Sequence, residues 1–284
     1  MHVRCMRGTT PTNPNQERKN HMGLTIHYSL KARGTDAHAL KLITQLHQAA
    51  HDLPFKELSE IVDVSGEACD HTKRETDDPL RWALIQASRT VKVNRTRRMS
   101  NGLVGHCYLT VLPTRVICFN AWPGEGCEEA NFGLCQYPAE IVSDLDGRVK
   151  TKMSGWRWES FCKTQYASNP DWGGIANFLR CHFTVIALLD KAKELGLVHE
   201  VADEGGFWPK RDVAALVKEI GSWNQMIAAF GGKLKDVLGA GVETPISEYP
   251  NFEQLEAAGQ EKLPPETEIL ARLIQHVVKE RAAS

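Results

Sequence analysis

A strand pattern that leads into an apolar helix pattern, between residues 156 and 195, constrains the fold of this chain most. In residues 156–166, large or apolar side chains alternate with charged or polar ones, which is the period of a strand with one buried face. In residues 175–195, apolar residues recur at helical spacing over a wide face, and Gly196 follows where a helix C-terminus favours glycine. A helix of this kind has to be buried, so the sequence predicts that it packs on a sheet.

The other segments predict an α+β domain whose mixed, mainly antiparallel sheet is covered by several helices. A strand at residues 24–30 precedes a helix for which Thr35 or Asp36 is the cap, and Asp146-Gly147 indicates a hairpin. The further predicted strands are short: 57–64, 103–112, 114–121, 139–142, 148–153 and 198–201.

Three helices are predicted to cover this sheet, and they begin near Thr35, Ile175 and Pro209. The last one is expected to bend or break at Gly231-Gly232, because glycine is unfavourable inside a helix. A terminal helix is predicted at 269–278 from its apolar spacing. Residues 79–88 fit a short helix and a strand equally well.

A single domain is predicted for residues 22–284, with a possible division at 144–155. Residues 1–21 are polar and contain two prolines, so they are expected to be a disordered N-terminal extension and not a secretory signal. No apolar run approaches the roughly 20 residues that span a bilayer. The expectation is a soluble protein without a membrane-spanning helix, and its oligomeric state stays open.

The charge balance and the cysteines bear on partners and location. The chain has 34 lysines and arginines against 35 aspartates and glutamates, which argues against nucleic acid as a partner. The eight cysteines form no Cys-x-x-Cys motif, and several lie in apolar runs, which predicts reduced thiols and a cytoplasmic location. Residues 89–98 are rich in basic side chains and are interpreted as a solvated loop or a loop that contacts phosphate.

A polar site is predicted where the strand at 156–166, the helix at 175–195 and the segment after it meet. Charged and aromatic residues are crowded against a core helix there, and a buried charge without a partner is costly. The candidate catalytic residues are His182, Asp203, Glu204 and Lys163, and the candidate ligand-binding residues are Arg211, Gln165 and Trp208.

Each candidate also has a structural interpretation. His182 is a base or metal ligand in one interpretation and a satisfied core residue in the other. Asp203 and Glu204 are a base with its orienting partner, or a charged turn before a helix. Arg211 holds an anionic group or forms a salt bridge, and Trp208 is a stacking wall or a lid on the core.

The polar face of the predicted strand at 156–166 lines a cleft in one interpretation and faces solvent in the other. Its side chains are too polar for a core. The members of this face are Arg157, Glu159, Phe161, Lys163 and Gln165.

The sequence predicts no metal site and identifies no cofactor. Zinc ligands usually include a closely spaced pair, and in the one set considered Cys127 and Cys135 are too far apart in sequence to be one. That set is His106, Cys107, Cys127 and Cys135. The loop around Cys127 is expected instead to pack on the sheet through Trp122 and Phe132, and Cys162 is expected to pack in the core instead of acting as a nucleophile.

Two functions remain open at this point. The first is a protein that binds a small molecule or a protein partner in a polar cleft around His182 and Asp203-Glu204. The alternative is a hydrolase-type enzyme that applies general acid/base chemistry to an anionic or phosphorylated substrate, which Lys163 and Arg211 would hold. The sequence does not decide whether the protein is an enzyme.

Overall fold

The computed structural model of the protein describes residues 24–98, 104–238 and 246–260, and its fold is α+β. The strands are β1 (Thr25–Ala32), β2 (Glu57–Leu58), β3 (Val62–Ser65), β4 (Arg89–Arg98), β5 (Val104–Val111), β6 (Arg115–Trp122), β7 (Ala130–Gln136), β8 (Glu140–Ser143), β9 (Gly147–Lys150), β10 (Trp156–Lys163) and β11 (Val198–Asp203). The helices are α1 (Asp36–His51), α2 (Pro79–Ala87), α3 (Gly174–Glu194), α4 (Phe207–Lys210), α5 (Val213–Leu238) and α6 (Phe252–Gln260). The predicted fold class is confirmed.

The main sheet has seven strands in the order β11-β1-β10-β7-β6, and β2 and β3 both pair with β6. All pairings between described strands are antiparallel. In the ladder between β1 and β10, Thr25 lies opposite Lys163 and Ala32 lies opposite Trp156. Two hairpins, β4–β5 and β8–β9, lie outside this sheet. Strands β11, β1 and β10 therefore form one continuous antiparallel surface.

Helices α1 and α3 contact each other and the sheet. Helix α1 follows Thr35, whose Oγ1 accepts a hydrogen bond from the backbone N–H of His38 (3.3 Å), so the predicted cap is confirmed. Helix α3 is buried along most of its length, as predicted: its buried residues are Phe178, Cys181, His182, Thr184, Val185, Ile186, Leu188, Leu189 and Ala192. Trp156 and Trp158 of β10 are buried in the same core.

Two strand predictions need correction in their extent. The strand predicted at 57–64 is two strands, because the chain leaves β6 after Ser59. The Ser59 backbone N–H still donates to the backbone oxygen of Asn120 (2.9 Å), but the Asn120 N–H donates to Ser59 Oγ (2.8 Å) and not to a backbone oxygen. The strand predicted to reach Tyr166 ends at Lys163, because Gln165–Ser168 form a 3₁₀ turn.

Two strands were not predicted. Residues 89–98, interpreted as a loop, form β4, where buried Val93 packs with Cys107 and Leu109 of β5. Residues 130–136 were interpreted as part of a loop and form β7, which is buried on both faces. A strand buried on both faces has no polar alternation, so the pattern used for the other strands does not mark it.

The helical corrections concern α2 and α5. Residues 79–88, which fitted two interpretations, form α2, and Asp78 caps it by accepting a hydrogen bond from the backbone N–H of Leu80 (2.8 Å). A bend or a break was predicted at Gly231-Gly232; the break is wrong, because α5 continues through both glycines. A Cβ at Gly232 would lie 1.7 Å from Oε1 of Glu256 of α6, so the Glu256 side chain occupies the space beside this glycine.

The predictions for residues 1–21 and for a helix at 269–278 lie outside the described residues. Within the described ranges, no helix is both long and apolar enough to cross a membrane.

Candidate functional site

The structure joins two of the predicted residues, His182 and Asp203, through a buried chain of hydrogen bonds. His182 Nδ1 lies 3.0 Å from Thr164 Oγ1, and its Nε2 lies 3.4 Å from Asp203 Oδ2. Asp203 also accepts hydrogen bonds from the backbone N–H groups of Gly205 (2.9 Å) and Trp208 (2.8 Å). These contacts connect α3 with β11, with the residue after β10 and with the residues after β11.

This chain is closed to solvent. The side chains of His182 and Asp203 are both 0% exposed. Phe178, Phe183 and Phe207 lie around the imidazole, with ring centroids 5.4 to 6.5 Å from it. A general base has to reach a substrate atom or a water that contacts one, and His182 has no such access in this conformation.

The hydrogen bonds to Asp203 determine its charge state. Burial acts to raise the pKa of this carboxyl, but the hydrogen bond and charge of His182 and the two backbone N–H groups outweigh burial and hold the pKa below its usual range. Asp203 is therefore an ionised carboxylate whose acceptor sites are occupied by groups of the protein.

Glu204 lies apart from Asp203, although the two are adjacent in sequence. Its Oε2 accepts a hydrogen bond from the backbone N–H of Thr25 (2.8 Å), and its Oε1 lies 3.6 Å from His27 Nε2. Burial acts to raise the pKa of Glu204, and the hydrogen bonds with His27 and Thr25 lower it overall. Successive residues at a strand end point to opposite sides, so the two carboxylates do not form the predicted base and orienter pair.

Lys163 and Gln165 lie at the end of β10 and have separate partners. The Lys163 ammonium is 4.7 Å from the centre of the Tyr166 ring. Gln165 is fully buried, and its Oε1 accepts a hydrogen bond from the backbone N–H of Leu24 (3.1 Å). Neither residue lines the open cleft described below.

Arg211 and Trp208 pack together on the surface of α3. Arg211 donates two hydrogen bonds to the carboxylate of Asp190, at 2.7 and 3.0 Å, and its guanidinium lies 4.7 Å from the centre of the Trp208 ring. Arg211 therefore binds an anionic group of the protein itself. That group is Asp190 of α3, which the sequence analysis did not consider.

An open cleft of about 650 Å³ lies on the surface formed by β11, β1 and β10. The residues of β11, β1 and β10 that line it are His27, Tyr28, Ser29, Lys31, Arg157, Glu159, Ser160, Phe161, His199, Glu200 and Ala202. Gln86 of α2 and Arg89 of β4 also line it. Of the polar face predicted for β10, the first three members line this cleft. The cleft meets the predicted site through His27, the neighbour of Glu204.

The sequence interpretation missed the β1 residues of the cleft, although β1 carries a usable signal. His27, Ser29 and Lys31 alternate with buried Ile26, Tyr28 and Leu30. The antiparallel register then places Ser29 opposite Glu159 and Lys31 opposite Arg157. The alternating patterns of β1 and β10 predict the outward residues of each strand separately. Only the pairing of the two strands shows that these residues share a surface.

The charges of the cleft are unevenly compensated. Arg89 Nε lies 3.4 Å from Glu159 Oε2. Lys31 and Arg157 lie opposite each other, and within the described residues neither forms an ion pair. Like charges opposite each other on paired strands destabilise a sheet. This end of the cleft therefore carries a positive charge that the described part of the chain does not neutralise.

Two buried polar atoms among the cleft residues also lack hydrogen bonds. Arg89 Nη2 and Ser29 Oγ make none with any described residue. Most buried polar groups in native proteins have a partner, so these two atoms are exceptions. Both atoms are closed to solvent, so they lie beneath the surface of the cleft and not where a ligand reaches in this conformation.

Metal binding has no support in the described ranges, where no three His, Cys, Asp or Glu side chains lie close enough to hold an ion. Comparison with known proteins found no matching family model, no matching curated protein and no matching solved structure.

Proposed function

We propose that this protein binds a small anionic molecule in the cleft formed by β11, β1 and β10. The observation that carries the proposal is the like-charge pair Lys31 and Arg157, which lie opposite each other in an open cleft. The pair costs stability in the free protein and becomes favourable when an anionic group lies between the two cations.

The acidic residues of the cleft restrict the ligand further. Glu159 and Glu200 both lie opposite Ser29, on the two strands that flank β1. A carboxylate accepts hydrogen bonds, so these two glutamates suit hydroxyl or amino groups of a ligand. A ligand that fits both the two cations and the two carboxylates is a polar molecule with an anionic group at one end and hydrogen-bond donors along its length, such as a sugar phosphate.

Binding is favoured over catalysis by the burial of His182 and Asp203, because the strongest acid/base pair of the predicted site is closed to solvent. In this proposal the binding cleft lies beside Glu204, and His182 with Asp203 holds the strand ends in place behind it.

The test uses glucose 6-phosphate, with inorganic phosphate and glucose as partial probes, in calorimetric titrations and thermal melts. Lys31→Gln and Arg157→Gln should each weaken glucose 6-phosphate binding about tenfold or more, since each removes a charge-assisted contact. Both variants should also melt slightly higher than the wild type without ligand, because the repulsion is gone. Lys150→Gln, an exposed lysine of β9, is the matched control and should change neither property.

Two results would contradict this function. One is that neither phosphate probe binds the wild type. The other is that Lys31→Gln and Arg157→Gln bind as the wild type does.

A hydrolase is the second candidate, and the pair His27–Glu204 favours it. His27 lines the cleft with 45% of its side chain exposed, and the Glu204 carboxylate lies beside its Nε2. A carboxylate that holds an imidazole at a cleft is an arrangement used for general base chemistry. Release of phosphate from glucose 6-phosphate, lost in His27→Gln with binding retained, would support this function over binding alone.

A further inference from the structure

Strand β11 departs from regular alternation near its middle. Residues 199 and 200 are both exposed, whereas Val198 and Val201 on either side of them pack against the core. Successive side chains of a regular strand point to opposite faces, so two exposed neighbours require an irregularity. As a result, His199 and Glu200 both line the cleft formed by β11, β1 and β10.

The irregularity is a β-bulge at His199. In the pairing of β1 with β11, Ser29 lies opposite Glu200 and the next residue, Leu30, lies opposite Val198, so His199 is the extra residue. A bulge adds one residue to one strand and turns a side chain in a new direction. Without it, this part of β11 would contribute one side chain to the cleft instead of two.

The bulge lies at the positively charged end of the cleft. The backbone N–H of Lys31 donates a hydrogen bond to the backbone oxygen of Leu197 (2.8 Å), two residues before His199. On its other side, Lys31 lies opposite Arg157 of β10. Neighbouring strands are about 4.8 Å apart, so an anionic group above Lys31 can contact Arg157 on one side and His199 on the other.

The surroundings of His199 leave its imidazole available to a ligand. Helices α3 and α4 contact β11 and belong to the core on the opposite face, where Val198 and Val201 pack. The other charged or titratable residues that line the cleft are Glu200 of β11, Lys31 and His27 of β1, Arg157 and Glu159 of β10, and Arg89 of β4. Within the described part of the chain, His199 forms no ion pair with any of them.

We propose that His199 is a ligand-binding residue of this cleft and that, when protonated, it is the third cation that holds the anionic group of the ligand. This inference rests on the proposed function, because it concerns the same cleft. Histidine is the residue type that gains its charge between about pH 5 and pH 8. An anion binds the protonated imidazole more tightly, so binding is linked to proton uptake, and the affinity falls as the pH rises.

Three cations favour a ligand whose anionic group is doubly charged. A carboxylate carries one negative charge, whereas a phosphate monoester carries about 1.5 to 2 at neutral pH. The phosphate monoester gains a proton itself near pH 6, so the pH dependence of its binding combines changes in the ligand and in the protein. Inorganic sulfate keeps both charges across this range, and its binding therefore reports on the protein alone.

The experiment measures sulfate binding to the full-length protein by calorimetry at about pH 5.5 and about pH 8.5. The wild type should bind sulfate about tenfold more tightly at the lower pH, because it gains one charge-assisted contact. His199→Gln should bind weakly at both pH values. His199→Arg carries a permanent charge and should bind at both pH values about as tightly as the wild type does at the lower one.

A matched control and a second readout separate His199 from other histidines. His106→Gln removes an exposed histidine of β5 that does not line the cleft, and it should keep the wild-type pH dependence. Titrations near neutral pH in buffers with different heats of ionisation measure proton uptake. The wild type should take up a fraction of a proton when sulfate binds, and His199→Gln should take up less.

The proposal is overturned if the wild type binds sulfate equally at the two pH values, or does not bind it at either. It is also overturned if His199→Gln keeps the wild-type pH dependence, or if His27→Gln removes that dependence instead. Failure of the proposed function looks different, because glucose 6-phosphate then does not bind, or binds Lys31→Gln and Arg157→Gln as it binds the wild type.

Discussion

At the scale of single residues, His182 and Asp203 are a buried, hydrogen-bonded pair. Their geometry, with Thr164 on the other ring nitrogen, resembles a catalytic triad in connectivity. Burial distinguishes this group from a catalytic triad, because the nucleophile of a triad has to lie at a surface that the substrate reaches. We therefore expect the hydrogen bonds of Thr164, His182 and Asp203 to stabilise the fold.

Replacement of Asp203 by Asn tests that role. The pKa of Asp203 is lower in the folded protein than in the unfolded chain, where aspartate has a pKa of about 3.9. Its stabilising contribution is therefore complete above that pH and is lost as the pH falls through the lower, folded value. We expect Asp203→Asn to lose about 3–5 kcal/mol of unfolding free energy at neutral pH, and to lose less than the wild type on acidification.

Urea denaturation at a series of pH values measures this difference. Asp171→Asn, at an exposed aspartate, is the control and should follow the wild type. An Asp203→Asn protein as stable as the wild type at neutral pH would remove the structural role.

At the scale of elements, α5 and α6 show that a glycine in a helix has opposite effects in different surroundings. Gly221 of α5 has nothing within 4 Å of a Cβ position. Gly259 of α6 is buried, and a Cβ there would lie 1.9 Å from the backbone oxygen of Gln225. The first glycine costs helix stability, and the second permits the two helices to pack.

The pair of variants Gly221→Ala and Gly259→Ala should change stability with opposite signs. Gly221→Ala should add about 0.5–1 kcal/mol, because alanine reduces the entropy lost on folding. Gly259→Ala should be destabilising, because the backbone of α5 cannot move aside as a side chain can. Thermal melts with helical circular dichroism would measure both, and equal effects of the two substitutions would contradict the packing role of Gly259.

Sequence patterns found some of these elements and missed others for identifiable reasons. β10 was found because Trp156 and Trp158 alternate with polar residues. β7 was missed because Phe132 and its neighbours are buried on both faces, so no alternation exists. A bend or break at Gly231-Gly232 was predicted from intrinsic propensity, but α5 continues through both glycines, and such propensities are weak beside tertiary context.

The candidate site was predictable only in part. The proximity of His182 to Asp203 follows from a helix that packs beside the strand after it. That Glu204 turns towards His27 depends on the strand pairing with β1, which is information between distant segments. The cleft depends on the same pairing, so local patterns identified only its β10 members.

At the scale of the whole molecule, two groups of strands meet at the junction of β10 and β7. The ladder there contains the single residue pair Arg157 and Cys135. Two side chains reinforce the junction: Tyr28 Oη and Trp158 Nε1 both donate hydrogen bonds to the backbone oxygen of Asn131, at 2.8 and 2.7 Å. One carbonyl of β7 therefore joins both β1 and β10.

Removal of these donors should weaken the junction. Tyr28→Phe should cost about 1 kcal/mol of unfolding free energy, the usual net value of one buried hydrogen bond, and Trp158→Phe should cost more because it also leaves a void. Chemical denaturation of the two single variants and the double variant measures their coupling. Strictly additive losses would contradict a shared role, since both donors meet the same carbonyl.

The floor of the cleft consists of three neighbouring strands, so the backbone beneath it is already ordered. Strand spacing in a sheet is about 4.8 Å and alternate residues along a strand are about 6.8 Å apart, so backbone hydrogen bonds fix where each cleft residue begins. The charged groups lie at the ends of long side chains and can adjust their positions by rotation. If the proposed binding occurs, the entropy cost of ordering therefore falls on these side chains and not on the backbone.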